Sequence, residues 1–230
     1  SMPTRNIVPK PVQRPHPPMW MACSNHQAIH TAAELGLGAL TFAFVPPEKV
    51  KPWIDDYYET IKTNCNPIGH TVNANVAVVT TMHMDRDQEK AWERGVDGNM
   101  FFQLALAHHY VFGTHKPGRT DLWEQYMSVQ DLLRPMLRKD GGISAVGDPA
   151  HVRWLLDEWT KAGADQVMMV AQSGKTRHRD VMNSIEMFAE EVMPRYHQDE
   201  EAREERKARD LGPYIKAALD RKAWMKPLGD

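Results

Sequence analysis

Three short stretches of the 230-residue sequence carry side chains that could do chemistry. In the first, Cys23, Ser24, Asn25 and Gln27 end an apolar run and open a helical pattern. Free amide hydrogens and the dipole at such a helix start favour an anion, a phosphate in particular. The same residues have a plainer use, because Ser24 or Asn25 can be the N-cap of that helix. In the second stretch, Gln172, Ser173 and Gly174 set an amide, a hydroxyl and bare backbone directly after another apolar run. Lys175, Arg177 and His178 follow on a loop whose charge suits solvent. In the third, Thr80, Thr81 and His83 end a β-branched run and Phe44 ends an aromatic one, and these could line an apolar pocket holding a few polar groups.

Other chemistries are excluded by spacing. Eleven histidines are present, with His26 and His30 four apart and His108 beside His109, yet no set has a recognised metal-ligand spacing, so no metal is expected. The "GKT" at Gly174 to Thr176 lacks the upstream glycine of a phosphate loop, and no Gly-x-Ser-x-Gly elbow occurs. A net charge of -2 argues against a nucleic-acid partner. Two cysteines are too few for a disulfide framework, and no apolar run has membrane length, so a cytoplasmic protein with no membrane contact is expected. Ser1 ahead of Met2 reads as a remnant of tag removal.

The elements that must position these residues follow from apolar patterning. Residues 1–18 are a Pro-rich connector, with Pro9, Pro11, Pro15, Pro17 and Pro18 imposing extended backbone. "MWMACS" is a short strand, and Ala28, Ile29, Ala32, Ala33 and Leu35 then recur at helical spacing before Gly36 and Gly38. "ALTFAF" predicts a second strand and "PPEKVKPWIDDYYETIKTNC" a helix with Pro52 in its first turn. "VNANVAVVTTMH" predicts a third strand. The region from Asp85 to Gly147 reads as helical with no strand, broken near Gly95 or Gly98 and again at Pro135.

The clearest unit starts at Asp148, a candidate N-cap with Pro149 after it. Val152, Leu155, Leu156 and Trp159 form an apolar stripe, Gly163 stops the helix, and "QVMMVAQ" is a fourth strand. "DVMNSIEMFAEEVMPRY" predicts one more helix, and residues 198–230 form a charged helical tail with the look of a solvated face. Strands alternating with helices, each strand apolar throughout, specify parallel β-α units.

Taken together, "PKPVQRPHPPMWMACS", "GDPAHVRWLLDEWTKAGADQVMMVAQSGKTRHRDVMNSIEMFAEEVMPRY" and the charged tail resemble the bacterial luciferase-like flavin-dependent monooxygenase family, specifically its C-terminal half. The resemblance implies a fold of class α/β, a partial (half) TIM barrel of about four parallel β-α units over residues 19–197. Its strands would correspond to the fifth through eighth of a complete barrel. It implies FMN as cofactor, with O₂ and a small organic substrate. Ser24 matches the family's phosphate-binding serine, Cys23 and Gln27 stand beside it, and Gln172, Ser173 and Gly174 would flank the flavin.

The family's catalytic histidine belongs to the other half, so no catalytic residue is assigned. Four strands cannot close a barrel that needs eight. An open sheet exposes two edges and an apolar face. The expectation is therefore a partner, as a homodimer or a heterodimer, with a shortened chain of altered packing as the remaining possibility. A non-catalytic half-barrel that scaffolds or regulates a complete homologue is the competing function.

Overall fold

The computed structural model describes residues 8–41, 45–111, 118–139 and 144–223. Phe44 lies outside them. The first half alternates strand and helix as the patterning predicts: β1 (Trp20–Cys23), α1 (His26–Glu34), β2 (Gly38–Thr41), α2 (Pro47–Thr63) and β3 (Val76–Met84). Two helices follow, α3 (Gln88–Tyr110) and α4 (Leu122–Lys139), then β4 (Ala145–Gly147), α5 (Pro149–Ala162) and β5 (Gln166–Val170). The chain continues through α6 (His178–Glu191), α7 (Met193–Gln198) and α8 (Glu200–Arg221). No described helix is long and apolar enough to cross a membrane.

Every strand pairing is parallel, and β3 is the hub. β2 and β5 pair with overlapping parts of β3, Thr41 and Val167 both aligning with Val78, so they flank it on opposite sides. The sheet thus runs β1-β2-β3-β5, and β4 joins β3 only at its upper end, Met82 to Met84. All nine residues of β3 are buried. Val76, Val78, Met82 and Met84 enter one core with Ile29 of α1, Ile54 and Tyr57 of α2, Leu155 and Trp159 of α5, and Leu211 of α8. Side chains alternate across a strand, so Thr81 and His83 look to the opposite face. That face is covered at its upper end by α3, through Gly95 against His83 and Asn99 against Thr81.

The partial barrel of parallel units is present, with five strands among the described residues rather than four. β4 was missed because three residues are too few to show a period, although α3 and α5 bury all of them. α3 is unbroken at Gly95 and Gly98. These glycines are points of close approach instead: a Cβ on Gly95 would sit 2.5 Å from the His83 Cβ, and one on Gly98 would sit 2.8 Å from Thr176 Oγ1. Pro52 lies beyond the first turn of α2, and α4 runs through Pro135. Both prolines are exposed, so the carbonyl each leaves without an intrahelical donor can turn to water. The helix after β5 divides at Val192 into α6 and α7, with Pro194 in the first turn of α7.

The predicted caps of α5 are in place. Asp148 accepts from the His151 amide at 2.8 Å, and Gly163 closes the helix at φ 95°. α1 is capped by Asn25, whose Oδ1 accepts from the Ala28 amide at 2.9 Å. The charged tail helix is anchored as well as solvated. Leu211 and Ala218 are buried, and Lys207 Nζ reaches Asp165 Oδ1 at 2.6 Å and Asn75 Oδ1 at 2.5 Å. Asp165 also accepts from the Val76 amide at 2.7 Å and from the Tyr58 hydroxyl. One carboxylate therefore clasps α8, α2 and the lower ends of β3 and β5.

Candidate functional site at the C-terminal ends of the strands

Parallel strands end together, so the three chemical stretches share one end of the sheet. They do not converge. The loop after β1 and the loop after β5 have β2 and β3 between them, three strand spacings or roughly 14 Å.

At the first loop, Cys23 aligns with Thr41 and through it with Val78, which turns its side chain into the helix-side core. Burial pushes its thiol up to about 11, only partly offset by a backbone hydrogen bond from Leu40, so the sulfur is a protonated core group. Its hydrogen goes to the Met21 carbonyl at 3.3 Å. Ser24 and Gln27 are exposed, and neither side chain hydrogen-bonds within the described residues. Because Asn25 does the capping, the Ser24 hydroxyl is left over at the N-terminus of a nine-residue helix.

At the second loop, Gly174 has φ +58°, and a Cβ there would meet Trp123 of α4 at 2.8 Å. Thr176 Oγ1 donates to the Ser173 carbonyl at 3.0 Å, Gln172 Nε2 donates to the Thr176 carbonyl at 3.3 Å, and Lys175 Nζ lies 5.0 Å from the centre of the Trp123 ring. The loop is stapled to α3 and α4, and the bare backbone of Gly174 admits Trp123.

Between them, Thr80, Thr81 and His83 are buried at the end of β3. Thr81 Oγ1 donates to Asn99 Oδ1 at 2.6 Å, and Gln103 Nε2 donates to the same oxygen at 3.0 Å. Two polar atoms here have no partner among the described residues, His83 Nδ1 and Asn99 Nδ2. Burial is the largest influence on His83 and holds its imidazole below the ordinary 6.5; Asp180 and Asp85 oppose this and Arg94 assists it. At neutral pH the ring is an uncharged hydrogen-bonding group. Sequence reasoning found His83 and missed Asn99, whose signal was an asparagine inside the apolar helical run "GNMFFQLALA", a poor place for it on propensity alone. Trp123 gave no signal. No cluster of metal-ligating residues occurs among the described residues.

A family model described as luciferase-like monooxygenase matches residues 2–166, most of the chain. The chain belongs to the luciferase-like monooxygenase family. The match ends at the first residue of β5, so Ser24 and Gln27 lie inside it while Gln172, Ser173 and Gly174 lie beyond it. Among solved structures the fold is similar to the monooxygenase RslO1 from Streptomyces bottropensis, with 18% identity, a TM-score of 0.55, and coverage of 82% of this chain and 51% of that one. It is also similar to MsnO8 in its apo form, with 19% identity, a TM-score of 0.52, and coverage of 78% and 52%. The chain spans about half the length of these two proteins. No curated protein matches it.

At the first loop a flavin phosphate would meet an unengaged Ser24 hydroxyl and Gln27 side chain, with the Ala28 amide of α1 already taken by Asn25. The second loop fits a flavin ring less well, because Trp123 and α3 already occupy the space beside Gly174.

Proposed function

We propose that this chain supplies the phosphate-binding side of a luciferase-like flavin-dependent monooxygenase that uses reduced FMN and O₂ on a small organic substrate, with a partner chain closing the barrel. The observation that carries this reading is the exposed, unengaged pair Ser24 and Gln27 at the N-terminus of α1, inside the family-matched region. When bound, reduced flavin supplies the electrons and the reactivity toward O₂. The chain's own residues bind and orient: Ser24 and the first amides of α1 hold the phosphate. Cys23 takes no part, because its thiol is buried and protonated.

A partner is supported by the outer edges of β1 and β5, unpaired among the described residues, and by the apolar Met168 of β5, which is 50% exposed. That partner is either a second copy, giving a homodimer, or a different chain, giving a heterodimer. A cytoplasmic setting agrees with two free, buried cysteines.

A second reading has one observation in its favour. α3 and Trp123 fill the ring side of the site, which suits a non-catalytic half-barrel that binds flavin passively or not at all.

Titration of FMN, with native mass and flavin absorbance recorded on one chromatographic peak, tests both. The monooxygenase reading expects a yellow assembly larger than a monomer. It also expects Ser24→Ala to weaken FMN binding roughly tenfold. The melting temperature of the flavin-free protein should not change, since Asn25 and not Ser24 caps α1. A colourless protein, or equal FMN affinity in Ser24→Ala, overturns the phosphate role and leaves the scaffold reading.

A further inference from the structure

A cavity of about 390 Å³ lies beside β5, between α5, α6, α7 and the start of α8. Its size is within the range of small-molecule sites. Half of the lining residues are apolar, Leu156, Val167, Met169, Phe188 and Met193 among them. The polar half divides by whether its side chains are already engaged. Thr160 donates to the Leu156 carbonyl, Tyr196 donates to the Arg153 carbonyl and to Asp157, and Asp165 is held by Lys207, Tyr58 and the Val76 amide. Gln166, His197, Glu200 and Arg203 make no side-chain hydrogen bond or ion pair among the described residues.

Arg203 differs from every comparable side chain. Four other lysines and arginines are half-buried among the described residues, and each has an acceptor: Arg134 has Asp97, Arg153 the Glu191 carbonyl, Lys207 Asp165, and Lys222 the Pro67 carbonyl. Arg203 is half-buried and has none. Its guanidinium keeps its charge at any working pH, so lost hydration is not repaid within the chain. Glu200, one turn earlier in α8, is exposed to water and forms no ion pair with it. A phosphate dianion would set two charges against one guanidinium and the Glu200 carboxylate, and would leave the apolar half of the cavity empty. An uncharged molecule would leave Arg203 without an acceptor. A monocarboxylate on an apolar body answers both halves, since guanidinium and carboxylate pair through two parallel hydrogen bonds.

We infer that this cavity is a binding site for a small monocarboxylate with an apolar body, its carboxylate held by Arg203 with His197 as a second donor, and its body packed on Val167, Met169 and Phe188. The occupant joins α8 to α5, α6 and β5, so binding stabilises the docking of the tail helix. β2 and β3 separate β5 from β1 and the Ser24 loop, and the site is independent of FMN.

The test is calorimetric titration of the full chain with 4-phenylbutyrate, together with its melting temperature. Saturable binding that raises the melting temperature is expected by linkage, unchanged when FMN is present. The alcohol and the amine with the same phenylbutyl body should bind more weakly, the amine weakest of the three. Arg203→Met keeps an apolar stem and removes the guanidinium, and should weaken the carboxylate roughly tenfold while leaving the alcohol as in the parent. That contrast separates a lost ion pair from a collapsed cavity. Glu200→Gln removes the neighbouring negative charge and should tighten the carboxylate. Absence of saturable carboxylate binding, equal or tighter binding of the amine, an unchanged carboxylate affinity in Arg203→Met, or weaker binding in Glu200→Gln each overturns the assignment. None of these results bears on the Ser24 test, so the two proposals fail separately.

Discussion

Gly95 of α3 lies so close over His83 of β3 that a methyl group on the glycine would come within 2.5 Å of the histidine Cβ. Alanine is the better helix former by about 1 kcal/mol. Propensity alone therefore predicts that Gly95→Ala stabilises the protein. Packing predicts the reverse, a loss of about 1–3 kcal/mol from forcing α3 off the sheet. Gly212 in α8 has nothing within 4 Å of a Cβ, and Gly212→Ala should gain about 0.5–1 kcal/mol. Urea denaturation of the two variants should move the midpoint in opposite directions. Stabilisation by both would mean that α3 does not sit on β3 as described.

His83 should make the protein sensitive to mild acid. Its folded-state value is depressed below the ordinary 6.5, so as pH falls below 6.5 the unfolded chain takes up a proton that the folded chain refuses. Stability is intact above that value and falls until pH passes the folded-state value, after which this group contributes no further loss. His83→Leu removes the titration, and its melting temperature should vary less than that of the parent between about pH 6.5 and 5. Equal slopes for parent and variant would show that His83 is not buried in its neutral form.

Lys207 should matter far more than an ordinary residue of a charged helix. Its side chain is 17% exposed and that of Asp165 is 14% exposed. Lys207→Met leaves a mostly buried carboxylate without its cation, at a cost of about 3 kcal/mol. Exposed pairs on the same helix, such as Lys216 with Asp220, should be worth less than about 1 kcal/mol. A double-mutant cycle with Asp165→Asn checks the origin of the loss, since the second change should add much less than it costs alone. Additive losses would place Lys207 outside the network.

The order of strands and helices was legible because each is long enough to show a period or is marked by a cap, as at Asp148 and Gly163. β4 was illegible for want of length. Gly95 and Gly98 misled because a glycine in a helix reads the same whether it ends the helix or lets a neighbour approach, and only the tertiary partner decides. The prolines of α2 and α4 misled for a related reason, since exposure makes a missing backbone bond tolerable. At the site, Ser24, Gln27 and His83 could be named from strand ends alone. Cys23 could not be placed, because strand register decides which face it joins. Asn99 and Trp123 come from the long helical segment between β3 and β4, whose route across the sheet no local pattern records.

The clasp at Asp165 also bears on the order in which the molecule assembles. Lys207 and Asn75 are 132 positions apart, and Asp165 and Val76 are 89 apart. Contacts so distant in sequence form only after long loops have closed, which slows folding. During synthesis, β1, β2 and β3 emerge well before the residues that tie their lower ends to β5 and α8. For that interval the nascent sheet has no β5 beside β3 and no Lys207 beneath it, and it exposes apolar strand surface of the kind that chaperones exist to shield.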